Sequence, residues 1–115
     1  MTNINNELAI ENNLNVEDIV LISYFEFVNK MKGCNNEFVI GYNEIINDLP
    51  ILFNSTERST VAKLRKMLNK EGVKVFITRS ISQQGRGLGA KVLFKINRDK
   101  VEELNVKGIV NFKRG

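Results

Sequence analysis

The hydrophobic pattern of the chain changes period several times, and each change marks an element. Asn15 is a good helix N-cap, and Glu17 and Asp18 follow it where the positive end of a helix favours carboxylates. Apolar residues then recur at helical spacing up to Gly33, a stop signal, which predicts a helix over residues 16–32. Val16, Val20, Tyr24, Phe27 and Met31 form one apolar stripe, and Leu21, Phe25 and Val28 form another. A surface helix needs only one stripe. The excess predicts a central helix, or a face covered by the partner in a homodimer, or a face covered by the N-terminal segment folding back. That segment, residues 1–14, is rich in asparagine and reads as a polar arm, either loose or carrying a short helix around residues 7–11.

The stretch EFVIGY, residues 37–42, reads as a short strand, and NEIINDL, residues 43–49, as a short helix ended by Pro50. Asn54 with Glu57 three residues on resembles a capping box, opening a helix over residues 55–71 that stops at Gly72. Its expected core face is Val61, Leu64 and Leu68. Thr56, Ser59, Lys63, Lys66 and Lys70 lie opposite, flanked by Thr60 and Met67. Two alternating segments follow. In residues 73–79, Val73, Val75 and Ile77 alternate with Lys74, Phe76 and Thr78. In residues 90–96, Ala90, Val92, Phe94 and Ile96 alternate with Lys91, Leu93 and Lys95. Asn97 caps a last short helix through Leu104, and residues 106–115 form a basic tail with room for one more strand.

Charge adds a second pattern. The net charge is +4 over 115 residues, but it is divided unevenly. Residues 1–50 carry two lysines and eight acids, a balance of −6, and residues 51–115 carry fifteen basic residues and five acids, a balance of +10. Between Arg58 and Arg98 the only acid is Glu71. Such a field attracts polyanions. The composition, 43% hydrophobic and 26% charged, is that of a single globular domain. No apolar run approaches the roughly 20 residues of a spanning helix, and the polar, acidic start does not read as a signal peptide. The lone Cys34 excludes an internal disulfide and fits a reducing cytoplasm. With no histidine and one thiol, neither a zinc site nor another metal or cofactor site is expected, and the commonest general base is missing. Cys34 has no basic neighbour in sequence, and the adjacent Glu102 and Glu103 diverge on a helix. The chain does not read as an enzyme.

The segment joining the alternating stretches, SISQQGRGLGAKV, holds Gly85, Gly87 and Gly89. A nucleotide cradle needs such glycines between a strand and the start of a helix. Here they lie between two strands, and the GxxxxGK spacing of a phosphate loop is absent. A hairpin tip is the better reading. Gln83, Gln84 and Arg86 place amide and guanidinium groups there, and these suit groove edges of a duplex. Arg79, Lys91 and Lys95 add charge along the ribbon, and Lys74 is expected on the same outward face as Lys91 and Lys95.

Helix, strand, helix, helix and hairpin, in that order, resemble the winged helix-turn-helix family. STERSTVAKLRKMLNKEGVKV is similar to the recognition helix of that family. Thr60-Val61, Lys63-Leu64 and Leu68-x-x-x-Gly72-Val73 fall where its members show Thr-Val, a basic residue with Leu, and Leu-x-x-x-Gly-hydrophobic. The resemblance covers residues 16–104. It implies an α+β winged helix-turn-helix domain over residues 15–105, with a three-helix core, a short first strand, a C-terminal β-hairpin wing and an extra terminal helix. It also implies double-stranded DNA as partner, with the third helix in the major groove and the wing on backbone or minor groove. Carried over by position, the DNA-binding residues are Thr56, Ser59, Thr60, Lys63, Lys66 and Lys70 on the helix and Arg79, Gln83, Gln84, Arg86, Lys91 and Lys95 on the wing. The turn over residues 50–54, with Ile51, Leu52 and Phe53, is longer and more apolar than the family's usual turn, a departure able to tilt the helix.

A lone winged domain with an Asn/Ile/Lys-rich composition also resembles the relaxosome accessory factors of clostridial conjugative plasmids, which bind an origin of transfer alongside other nucleoprotein-complex proteins. The expected function is sequence-specific DNA binding, as a homodimer, in plasmid transfer or replication or in transcriptional regulation. The alternative is a winged-helix protein interaction module that uses the apolar first helix. On the DNA reading, Arg86→Ala weakens specific binding by about 1–3 kcal/mol in a titration with the selected duplex. Unchanged affinity would remove the wing tip from the interface.

Overall fold

The structure, a computed structural model, describes residues 4–33, 35–54, 57–81 and 91–109, with backbone only at 57–59 and 81. It is α+β: six helices and a three-stranded antiparallel sheet among the described residues. In chain order these are α1 (Asn6–Glu11), α2 (Val16–Met31), β1 (Glu37–Gly41), α3 (Tyr42–Asp48), α4 (Glu57–Leu68), α5 (Glu71–Lys74), β2 (Ile77–Ile81), β3 (Lys91–Ile96) and α6 (Arg98–Leu104).

α2 begins at a reciprocal cap. The side chain of Asn15 accepts from the Asp18 amide at 2.8 Å, and the Asp18 carboxylate accepts from the Asn15 amide at 3.0 Å. The helix is central: Leu21, Ile22, Tyr24, Phe25 and Val28 are fully buried. The second apolar stripe is divided. Tyr24 is inside, Val20 and Phe27 are half-buried, and Val16 and Met31, at the ends, are exposed. Residues 6–11 are helical and pack inward. Leu8 and Ala9 join the core, and the Asn5 amide donates to the Leu104 carbonyl at 2.9 Å, tying α1 to α6.

The sheet has the order β1-β3-β2. β3 follows its period-two pattern, with Val92, Phe94 and Ile96 buried and Lys91 and Lys95 exposed. Phe25 of α2 meets Phe94 at 4.6 Å between ring centroids and Phe38 of β1 at 6.0 Å, a tilted arrangement that aromatic rings favour. Tyr24 donates to the Asp48 carboxylate at 2.6 Å and so ties α2 to the end of α3. Between α2 and α6, Arg98 holds the buried Glu26 at 2.6 Å and the Asn36 side-chain oxygen at 2.9 and 3.0 Å. Asn36 has φ +63°, and Asn13 and Asn105 are likewise left-handed, a conformation asparagine tolerates better than most residues.

Two expectations in the second half need correction. The helix expected to reach residue 71 ends at Leu68; Lys70 is extended, and a separate turn of helix, α5, follows. The strand expected over residues 73–79 begins only at Ile77. Lys74 therefore belongs to α5, not to the hairpin's outward face. Phe76, expected outward, lies in the turn before β2 and is fully buried. The alternation imitates a strand because Val73, inside the buried turn, and Val75, at its cap, flank Lys74. In the C-terminal tail, Val106 is buried and residues 107–109 form a turn and bend, while residues 110–115 lie outside the described residues.

Gly72, expected as a helix stop, has another reason to be glycine. A Cβ built on it would sit 1.8 Å from the Asn12 carbonyl oxygen, just past α1. That contact is backbone against α5 and cannot be relieved by a rotamer change. Gly72→Ala should therefore cost at least the roughly 3 kcal/mol that bounds typical overpacking. Urea unfolding of the variant checks it, and wild-type stability would show that α1 is not held against α5.

Candidate nucleic-acid interface

α4 carries the expected cations, but its orientation differs from the one read from its spacing. Thr60, Leu64, Met67 and Leu68 are buried, and Val61 is half-buried. Ala62, Arg65, Lys66 and Asn69 face solvent. At about 100° per residue, the exposed face is turned by roughly a fifth of a turn from the expected one. The cause is visible on the flank. Lys63 pairs with Glu17 at 2.8 Å, donates to the Leu52 carbonyl at 2.7 Å and lies over the Phe53 ring. Lys70 pairs with the buried Asp18 at 2.5 Å. The acids that open α2 thus draw this edge of α4 inward. The longer apolar turn contributes Leu52 and Phe53 to the core beneath it.

The structure gives four of the expected site residues particular surroundings. Thr60 is 2% exposed and offers no surface to a ligand. Lys63 and Lys70 are engaged with carboxylates and do not share the open face. Lys95 is exposed but sits 3.4 Å from Glu37, its register partner on β1. Lys66 and Lys91 are exposed as expected. Thr56, Gln83, Gln84 and Arg86 lie outside the described residues, as do the Cys34 position, the side chain of Ser59 and that of Glu57, on which the expected Asn54 capping box depends.

Arg79 occupies an unexpected place. It pairs in register with Phe94, whose side chain is buried, so Arg79 leans toward the helical side of the sheet edge rather than outward. There it donates to the Tyr42 hydroxyl and, at 2.8 Å, to the Asn69 side-chain oxygen. Its guanidinium carbon lies 5.7 Å from the Tyr42 ring centroid, and that of Arg65 lies at the same distance from the same ring. Tyr42, at the first position of α3, is 1% exposed. Lys91 is in register with Gly41, the residue before Tyr42. Residues from α4 and β2 therefore converge on this tyrosine of α3. Arg65, Tyr42 and Asn69 were not among the expected site residues. Their spacing on α4 was a signal for Arg65 and Asn69, since they share a face with Ala62, whereas no local pattern marks Tyr42.

The ion pairs sort the cations. Among the described residues, Lys63, Lys70, Lys74 and Lys95 each have a carboxylate within 4 Å, while Arg65, Lys66, Arg79 and Lys91 have none. Within the second group, Arg65 and Arg79 meet on Tyr42, whereas Lys66 lines a cleft with Asn15, Glu17 and Asp18 on the α2 flank. No group of three potential metal-ligating side chains and no helix long and apolar enough to cross a membrane occur among the described residues. Comparison with family models, curated proteins and solved structures finds no significant match.

The two flank lysines should separate in a stability measurement. Lys70→Met strands the carboxylate of Asp18, which is 2% exposed, and should cost about 2–3 kcal/mol, under the range for a fully buried pair because Lys70 is itself one-third exposed. Lys63→Met breaks a pair open to solvent and should cost no more than about 1 kcal/mol. Equal losses in urea unfolding would contradict this assignment.

Proposed function

We propose that the chain is a winged helix-turn-helix protein that binds double-stranded DNA sequence-specifically, with α4 approaching the major groove and the β2–β3 ribbon acting as the wing. The order α2, β1, α3, α4, β2, β3 supports this reading, as does a sheet in which the first strand pairs with the last. The observation that carries it is a set of cations with no acidic partner among the described residues, two of which, Arg65 and Arg79, sit on Tyr42. A domain that neutralises Lys63, Lys70 and Lys95 internally, yet leaves Arg65, Lys66, Arg79 and Lys91 open on neighbouring elements, keeps a localised charge for a polyanion. The biological setting in this reading is a mobile element, where the protein serves plasmid transfer or replication, or transcriptional control.

The competing reading, a protein interaction module, needed an open apolar face on the first helix. Residues 21–26 of α2 are buried, and only the ends of that helix present large exposed apolar side chains. The same burial removes the sequence argument for a homodimer through this helix, so a dimer on repeated sites would need another surface.

Fluorescence anisotropy with a labelled duplex of random sequence tests the electrostatic half of the proposal. Three to four phosphates neutralised by the four open cations give a slope of log K against log salt of about −2.7 to −3.6. A flat salt dependence, or no binding at low salt, would refute it. Selection from a random duplex library tests the other half: an enriched motif is expected, and a pool that stays random would reduce the activity to non-specific binding.

A further inference from the structure

We propose that Arg65 and Arg79, both seated on Tyr42, form one clamp for a single phosphodiester of the DNA backbone. This inference rests on the DNA reading above. It assigns a binding site that spans two elements, and it gives Tyr42 a role as the positioning residue.

The geometry carries the argument. Tyr42 is 1% exposed at the start of α3, so its ring is held by the core. Each guanidinium carbon lies 5.7 Å from that ring's centroid, so the two are no farther apart than twice that distance. Arg79 spends two of its nitrogens on neutral oxygens, the Tyr42 hydroxyl and the Asn69 amide oxygen, which orient it and leave its charge uncompensated. Arg65 is exposed and has no carboxylate partner among the described residues. Like charges that share one ring repel modestly across this range, and stacking on the ring offsets part of that repulsion. A bound anion would relieve it. A planar guanidinium suits bidentate contact with a phosphate, and two of them from different elements approach one phosphate from different directions. The nearby lysines are poor substitutes, because Lys63 and Lys70 already face carboxylates.

A double-mutant cycle reads the clamp directly. Arg65→Gln, Arg79→Gln and the double variant are titrated with the same random-sequence duplex over a range of sodium chloride concentrations. Lys63→Gln serves as the control, and thermal melts monitor folding. Each arginine variant should weaken binding about tenfold and make the salt slope shallower by up to about 1. If both arginines hold one phosphate, the double variant also loses only about one unit of slope, and its affinity loss falls short of the product of the single losses. Lys63→Gln should bind within about twofold of wild type, as expected for a weak exposed contact. Tyr42→Phe keeps the ring and removes the acceptor for Arg79. It should shallow the slope in the same direction without a large fall in melting temperature, and it replaces Arg79→Gln if that variant fails to fold.

Fully multiplicative losses with a slope change of about two would overturn the single clamp, because the arginines would then hold separate phosphates. Wild-type affinity and slope in both single variants would remove the cluster from the interface altogether, while the DNA reading would stand on the steep slope of the wild type. A wild type that does not bind duplex at all would sink the DNA reading and the clamp together, an outcome visible before any variant is made.

Discussion

The contact between Phe25 and Phe94 decides how the basic half of the molecule is arranged. A central helix must cover one face of the sheet, and this aromatic pair, with Phe38 beside it, determines which face that is. Because side chains alternate along a strand, burying Phe94 turns Lys91 and Lys95 to solvent. The register then carries the constraint one strand further. Arg79 lies opposite Phe94 and must lean the same way, toward the helices. At an edge strand that side is not sealed, so an arginine can lie there with its stem covered and its head near the surface. The partner it finds is Tyr42, placed by the end of β1.

The acids of the first half have a structural part in this arrangement. Glu17 and Asp18 favour the start of α2 by their charge, and Asp18 completes its cap. The same two residues hold Lys63 and Lys70 and so set the rotation of α4. The division into an acidic and a basic half is therefore not a simple dipole between two ends. Part of the basic half is neutralised where the halves touch, and two of the remaining cations, Arg65 and Arg79, are held at Tyr42. An open surface of even cations would attract a polyanion without orienting it. A few cations held by hydrogen bonds and ring contacts have a defined geometry, and register on a duplex comes from that kind of contact.

Much of the fold was legible where local chemistry decides it. The caps at Asn15 and Asn97, the stop at Gly33, the short strand after it and the alternation of β3 each follow from one residue type at one place. The misreadings lie where tertiary contacts override local pattern. Residues 73–76 alternate like a strand, yet Gly72 lets the chain press against Asn12 and coil there. α4 was assigned a face by hydrophobicity alone, which preferred Val61 to Thr60 inside. The ion pairs to α2 reverse that preference, and no spacing within α4 encodes a partner more than forty residues away. The candidate site was legible by half for the same reason. Lys66 and Lys91 are exposed by their own periodicity, but Arg65 gains its meaning from Tyr42, and Arg79 gains its direction from Phe94.

This dependence on distant partners bears on how the interface would read a duplex. α4 is pinned along one edge by Lys63 and just past its end by Asn69, which accepts from Arg79, and by Lys70. A helix held at both flanks has little freedom to adjust its depth in a groove. The β2–β3 ribbon is joined to the end of the same helix through Arg79, so on a duplex the two elements would tend to move together. Rigid coupling of this kind places the burden of fitting on the duplex. Sequences that deform readily toward the fixed spacing between α4 and the ribbon would then be preferred even at positions that no side chain touches. Weakening the Arg79 bridge would uncouple the ribbon from the helix, and the preference lost first would be for those untouched positions, ahead of any contact to a base edge.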